Sequence, residues 1–177
     1  MSNAHLRFGL ALALQLGILA VIPAGQLWIR ATGQTVLLKT APVDPYSILS
    51  GYYMTLSYEI SSSPGLPGAD KLQLKDGDEF WVLLAPGKGG DGVWEAMGAS
   101  ASRPKAEPGQ VALRGRWRRW RGAEYGIETY YIPEDVRQAM AEVFRNRQDQ
   151  AVVEVKIARS GSAAIVRIRA GDRTYEY

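Results

Sequence analysis

The chain has no cysteine, and its one histidine is His5. Without thiols there is no disulfide, no thiolate nucleophile and no cysteine-based zinc site. Beyond residue 5 there is no imidazole base either, so Ser-His-Asp and Cys-His catalysis are excluded from the rest of the chain. A serine–lysine hydrolase, with Lys39, Lys71 or Lys75 as base, needs a lysine discharged by burial. Lys71 and Lys75 instead sit among Asp70, Asp76 and Asp78, surroundings that favour a charged ammonium. A large charge of one sign is also lacking. Twenty-one Lys and Arg against 18 Asp and Glu leave a net +3, too little to mark a nucleic-acid-binding protein. The surplus is uneven: residues 111–177 hold thirteen basic against nine acidic side chains, and twelve of the thirteen are Arg.

What the chain does have is one long apolar run. Leu6 to Ile29 reads LRFGLALALQLGILAVIPAGQLWI, with Gln15 and Gln26 the only polar side chains between Phe8 and Ile29. About twenty such residues span a bilayer core of roughly 30 Å as a helix. Arg7 at one end and Trp28 and Arg30 at the other suit the two interfaces. A cleaved signal peptide has a shorter core, about 7–15 residues, ended by an A-x-A-like site. Here the run continues past Pro23, Ala24 and Gly25 with no such triplet. A buried core helix would carry a polar face, which is missing. The expectation is an uncleaved transmembrane anchor within residues 1–30, kinked at Pro23, ahead of one domain over residues 31–177. Gln15, near mid-bilayer, prefers a hydrogen-bond partner on another helix. Arg7 and the terminal amine nearly balance Arg30 and Lys39. The short leading tail tips the expectation to a single-pass protein of the cell membrane, N-terminus cytoplasmic and C-terminal domain extracytoplasmic, that is, periplasmic.

Beyond the anchor, short strands alternate with turn residues. Thr35–Thr40 reads as a strand, broken by Pro42 and Pro45, and Asp44-Pro45-Tyr46 has turn chemistry. Ser47–Ser50 is expected as one helical turn. Tyr52–Ile60 alternates cleanly, with Tyr52, Met54, Leu56, Tyr58 and Ile60 on one face. Ser61–Ala69 (SSSPGLPGA) reads as an exposed connection. Glu79–Ala85 and Val93–Ala99 form a hairpin across Pro86–Gly92. That glycine-rich loop leads into a strand and lacks the K-[ST] of a phosphate-binding loop. Val111–Arg118 and Glu124–Ile132 make a second hairpin across Arg119–Gly122. Pro133 opens a helix from Glu134 to about Asn146. Ala151–Ala158, Ala163–Ala170 and Arg173–Tyr177 close the chain. The expected class is α+β: an N-terminal transmembrane helix, then about nine mainly antiparallel strands in a sandwich or partly open barrel with one α-helix.

Two segments carry a family resemblance. Pro42-Val43-Asp44-Pro45-Tyr46 followed by Gly51-Tyr52-Tyr53-Met54-Thr55-Leu56-Ser57-Tyr58 resembles the signature of the GDYXXLXY proteins, a bacterial family of small membrane-anchored proteins. Leu113-Arg114-Gly115-Arg116 followed by Tyr125-Gly126-Ile127-Glu128-Thr129-Tyr130-Tyr131-Ile132-Pro133-Glu134 is similar to its second recurrent segment. The resemblance spans nearly the whole chain, anchor included. Tyr52 stands where the family's name-giving Asp would be, so no role resting on that carboxylate is carried over. The resemblance implies an anchored extracytoplasmic domain, sometimes beside or fused to multi-spanning membrane proteins, and implies no reaction.

The remaining chemistry lies in carboxylates and in one basic stretch. Glu124 and Glu128 share a strand face with spacing four, so they are expected about 13 Å apart, too far to act as an acid–base pair. They would face Arg116 or Arg118 as ordinary cross-strand ion pairs. Arg114–Arg121 (RGRWRRWR) has five Arg and two Trp. It reads as a solvated or ion-paired hairpin, with contact to anionic headgroups or a partner as the alternative and nucleic acid set aside. No cofactor, catalytic group or metal ligand is expected. The candidate partner- or ligand-binding residues are Asp44, Tyr46, Gly51, Tyr53 and Tyr58 around the first motif. Around the second they are Arg116, Trp117, Arg118, Gly126, Glu128, Tyr130 and Glu134. Gly51 and Gly126 would meet backbone requirements, and Asp44 and Glu134 would cap a turn and a helix start. The expected function is a membrane-anchored, non-enzymatic extracytoplasmic domain that binds or stabilises a membrane-protein partner. The partner would be a multi-spanning protein, with lipids engaged through the anchor. The alternative is a carboxylate-dependent hydrolase or ligand-binding β domain acting on cell-envelope material.

Overall fold

Asn3–Thr32 forms one run of helix, α1, bent by 43° between His5–Val21 and Pro23–Thr32. Pro23 has no N–H for the ladder and its ring crowds the carbonyl four residues back, which accounts for the bend. The structure is a computed structural model describing residues 3–41, 49–50, 53–131, 151–170 and 173–176. Among them no single helix is long and apolar enough to cross a membrane, and the bent pair qualifies by length and composition only. The apolar side chains of α1 have no core to fill. Leu6, Phe8, Leu10, Ile18, Leu19 and Leu27 each expose more than half of their surface. Only the last turns meet the domain, where Gly25, Trp28, Ile29 and Thr32 face Ala158–Ser160 across a shallow groove. Gly33 lets the helix pass directly into a strand, because a Cβ there would lie 2.6 Å from Ile29 O and 3.0 Å from Ile157 N.

The domain is mostly antiparallel β. In chain order the strands are β1 (Gln34–Lys39), β2 (Leu49–Ser50), β3 (Tyr53–Thr55), β4 (Glu79–Pro86), β5 (Trp94–Ser100) and β6 (Val111–Arg118). They continue with β7 (Gly122–Glu124), β8 (Thr129–Tyr131), β9 (Ala151–Ile157), β10 (Ala163–Ala170) and β11 (Arg173–Tyr175). Three sheets result, ordered β1-β9-β10-β11, β2-β3-β8 and β5-β4-β6-β7. A parallel bridge from Leu37 to Val93 joins the two four-stranded sheets edge to edge, and an antiparallel bridge from Thr40 to Tyr58 ties in the small one. The wall they form is a half-barrel around a single core.

Alternation does the sorting. In β9, Ala151, Val153, Val155 and Ile157 are buried while Val152, Glu154 and Lys156 between them are not, as a half-buried strand requires. Two bulges interrupt the pattern. One extra residue in β5 shifts the register opposite Leu83 and Leu84 and leaves Met97 60% exposed. Another in β10 falls between Ile165 and Arg167, so the buried isoleucines are 165 and 168, three apart rather than two.

Several expectations need correction. Tyr52–Ile60 is not one strand: β3 ends at Thr55, and a 3-10 turn spans Glu59–Ser61. The alternation nevertheless holds, with Met54, Leu56, Tyr58 and Ile60 all buried. Leu49 and Ser50, expected in a helical turn, pair with Met54 and Tyr53 as a strand. The 61–69 connection is not simply exposed, since Ser61, Leu66 and Ala69 are buried. The described residues hold eleven strands, not nine. The helix expected over 134–146, with Glu134, lies outside the described residues, as do Asp44, Tyr46, Gly51 and Tyr52.

Candidate functional site

The two motif segments meet in the small sheet. Tyr53 pairs with Tyr131, Met54 with Tyr130 and Thr55 with Thr129, and the Leu56 N–H continues the contact by donating to Glu128 O at 2.7 Å. A reciprocal latch follows. The Tyr58 hydroxyl donates to Ile127 O at 2.6 Å, and the Tyr125 hydroxyl donates back to Ile60 O at 2.6 Å. Each segment thus supplies a phenol that satisfies a carbonyl of the other. Burial first, and then the Glu128 charge, push both phenols well above the usual tyrosine range, so they act as neutral donors.

The expected strand Glu124–Ile132 is broken at Tyr125–Glu128, and β7 and β8 belong to different sheets. The cause is local. Gly126 sits at φ +78°, and the Glu128 carboxylate accepts the Tyr125 N–H at 2.5 Å and the Gly126 N–H at 2.9 Å. A side chain that takes backbone donors in this way competes with a strand ladder. Burial pushes the Glu128 carboxyl above the usual carboxylate range. The N–H groups of Tyr125, Glu128 and Gly126 oppose that shift, and the Glu124 charge adds to it. The break also invalidates the 13 Å spacing of an extended strand. Glu124 and Glu128 line the same two clefts.

The first cleft, about 300 Å³, holds Glu79, Arg114, Arg116, Arg118, Glu124 and Glu128. Its ions are largely matched: Arg116 pairs with Glu79 at 3.1 Å and Arg118 with Glu124 at 3.1 Å. The basic stretch is therefore mainly an ion-paired hairpin. Trp117 is half-buried against the core, its ring edge-on to Phe80 at 6.3 Å. Trp120, at the hairpin tip, is 91% exposed.

The second cleft, about 680 Å³, lies on the outer face of β3 and β8. Its walls include Tyr53, Tyr131, Thr55, Thr129, Glu124 and Glu128, with Ser57, Ser61 and Arg121 around them. Tyr53 and Tyr131 meet edge to face, centroids 6.4 Å apart and planes at 63°. Glu124 is held by Arg118 and, at 3.6 Å, by Arg121.

Around the small sheet the structure brings together five of the expected residues, Tyr53, Tyr58, Gly126, Glu128 and Tyr130, with Arg116 and Arg118 beside Gly126 and Glu128 in the first cleft. Tyr58 and Tyr130 are buried, Gly126 and Glu128 shape the turn, and only Tyr53 of the five presents a ring to the second cleft. Tyr125, Tyr131, Ser61 and Arg121 were absent from the expected set. Tyr131 was legible as the outward neighbour of the inward Tyr130, whereas nothing local marks Ser61. No group of His, Cys, Asp and Glu among the described residues is arranged to hold a metal ion.

No curated protein and no solved structure matches the chain. A family match, described as GDYXXLXY protein, covers residues 15–168. It runs from the middle of α1 into β10 and takes in both motif segments with the latch between them. The chain belongs to the GDYXXLXY protein family.

Proposed function

We propose that this chain is a membrane-anchored, non-enzymatic extracytoplasmic domain that binds or stabilises a membrane-protein partner. One observation carries the reading: α1 is apolar around its whole circumference and almost entirely uncovered by its own domain. A helix apolar on every side belongs inside a large core or a membrane, and this domain's core is already filled by strands. A bend at Pro23 near the interface is tolerated in a membrane helix. Gln15, in the apolar stretch, favours a second helix as hydrogen-bond partner. Residues 1–30 then form the tail and anchor, and residues 31–177 the extracytoplasmic domain.

The test is extraction and recovery from native membranes. The chain should resist alkaline carbonate, and solubilisation in mild detergent should return it with a second membrane protein in fixed ratio. Release by carbonate contradicts the anchor, and repeated recovery of the chain alone contradicts the partner. A second reading, a carboxylate-dependent hydrolase or ligand-binding β domain acting on cell-envelope material, is favoured by the convergence of Glu124 and Glu128 on one cleft.

A further inference from the structure

We infer that the cleft on the outer face of β3 and β8 is a saccharide-binding site, with Tyr53 and Tyr131 as its platform. The pairing register sets the platform: Tyr53 lies opposite Tyr131, and Thr55 opposite Thr129, on the same outward face. Tyr131 is 73% exposed and Tyr53 39%, although rings of this size normally gain by burial. Their planes meet at 63° and form an open corner. A pyranose ring offers flat faces of C–H groups that pack on aromatic rings, and a rim of hydroxyls that both donate and accept. The cleft supplies the counterparts. Thr55, Ser57 and Thr129 carry hydroxyls, Glu124 and Glu128 are acceptors, and Arg121 is a donor.

An independent observation lies in the cleft wall. Ser61 is only 6% exposed, and its Oγ has no hydrogen-bond partner. Buried hydroxyls are ordinarily satisfied; the Ser61 Oγ is closed off from solvent here, so a ligand hydroxyl or a water completes it only once the Ser61 side chain turns toward the cleft that its residue lines. The volume, about 680 Å³, falls within the range of small-molecule sites, roughly 300–1,000 Å³. An extended peptide suits this place less well. Strand addition uses a free sheet edge, whereas the tyrosines and threonines stand on a sheet face.

This inference rests on the ligand-binding reading and not on the anchor, so sugar binding and membrane extraction succeed or fail separately. The test uses the full chain in a detergent without a sugar headgroup, titrated calorimetrically with chitotriose and with cellotriose. At least one should bind saturably. Tyr131→Ala should weaken binding by about ten-fold or more, while Tyr131→Trp stays within about three-fold of the parent. Because Tyr131 is largely exposed, the variant fold should be intact by circular dichroism. The inference is overturned if neither sugar saturates at roughly 10 mM, or if Tyr131→Ala binds as tightly as the parent.

Discussion

Tyr58 and Tyr125 illustrate how much of this structure rests on single buried hydroxyls. Each phenol satisfies a carbonyl of the opposite motif, and removing the hydroxyl leaves that carbonyl without its donor. Tyr58→Phe and Tyr125→Phe should each cost about 1–3 kcal/mol of stability, read as a shifted urea midpoint. Glu128 adds a pH dependence. Its pKa is raised in the folded state, chiefly by burial, so the folded chain binds more protons than the unfolded one between the two values. Its contribution is therefore fully present below about pH 4.3 and is lost as pH rises through the folded value. Glu128→Gln should flatten that part of the stability profile. It should also be less stable, because the Tyr125 and Gly126 N–H groups use separate carboxylate oxygens, and in Gln one of these becomes an NH2 donor facing a backbone donor. A parallel, unflattened profile would show that Glu128 does not titrate in this window.

At the scale of elements, the turns decide which strands can exist. Gly122 and Gly126 both sit at positive φ, +76° and +78°, but their surroundings differ. A Cβ at Gly126 meets nothing within 4 Å, whereas one at Gly122 collides with Ser61 O. Gly126→Ala should cost about 1 kcal/mol and Gly122→Ala about 2–4 kcal/mol in the same denaturation assay. Equal costs would mean that the Ser61 contact is unimportant. Legibility followed the same division. The reading of β6 and β10 coincides with the observed strands, and β4 differs by one residue at its end, because alternation and flanking turns define such strands locally. The break at Tyr125–Glu128 was not legible, since it depends on a carboxylate turning back onto its own backbone. The shortness of β3 was hidden for a related reason. The inward residues Met54 to Ile60 keep their alternation after the ladder stops, so the pattern reported burial correctly and hydrogen bonding wrongly. Of the candidate residues, the sequence placed Tyr53, Tyr58, Gly126, Glu128 and Tyr130 in the two motifs but not the meeting of those motifs across the small sheet, and Ser61 and Arg121 reach the cleft only through tertiary contact.

On the scale of the whole molecule, a half-barrel with its own core carries a 30-residue helix that the core does not use. The reading of that helix as an anchor, with the domain outside the cytoplasm, is the central claim. A chain without cysteine allows one introduced thiol to report topology. The 61–69 connection is a poor place for it, because Ser61, Leu66 and Ala69 are buried. Lys88, exposed in the turn between β4 and β5, is better placed. In intact cells, with any outer membrane permeabilised, Lys88→Cys should react with a membrane-impermeant maleimide, and the labelled chain should retain its N-terminal apolar helix. Reaction only after lysis would place the domain in the cytoplasm and contradict the account, as would a mature chain beginning near Gln26.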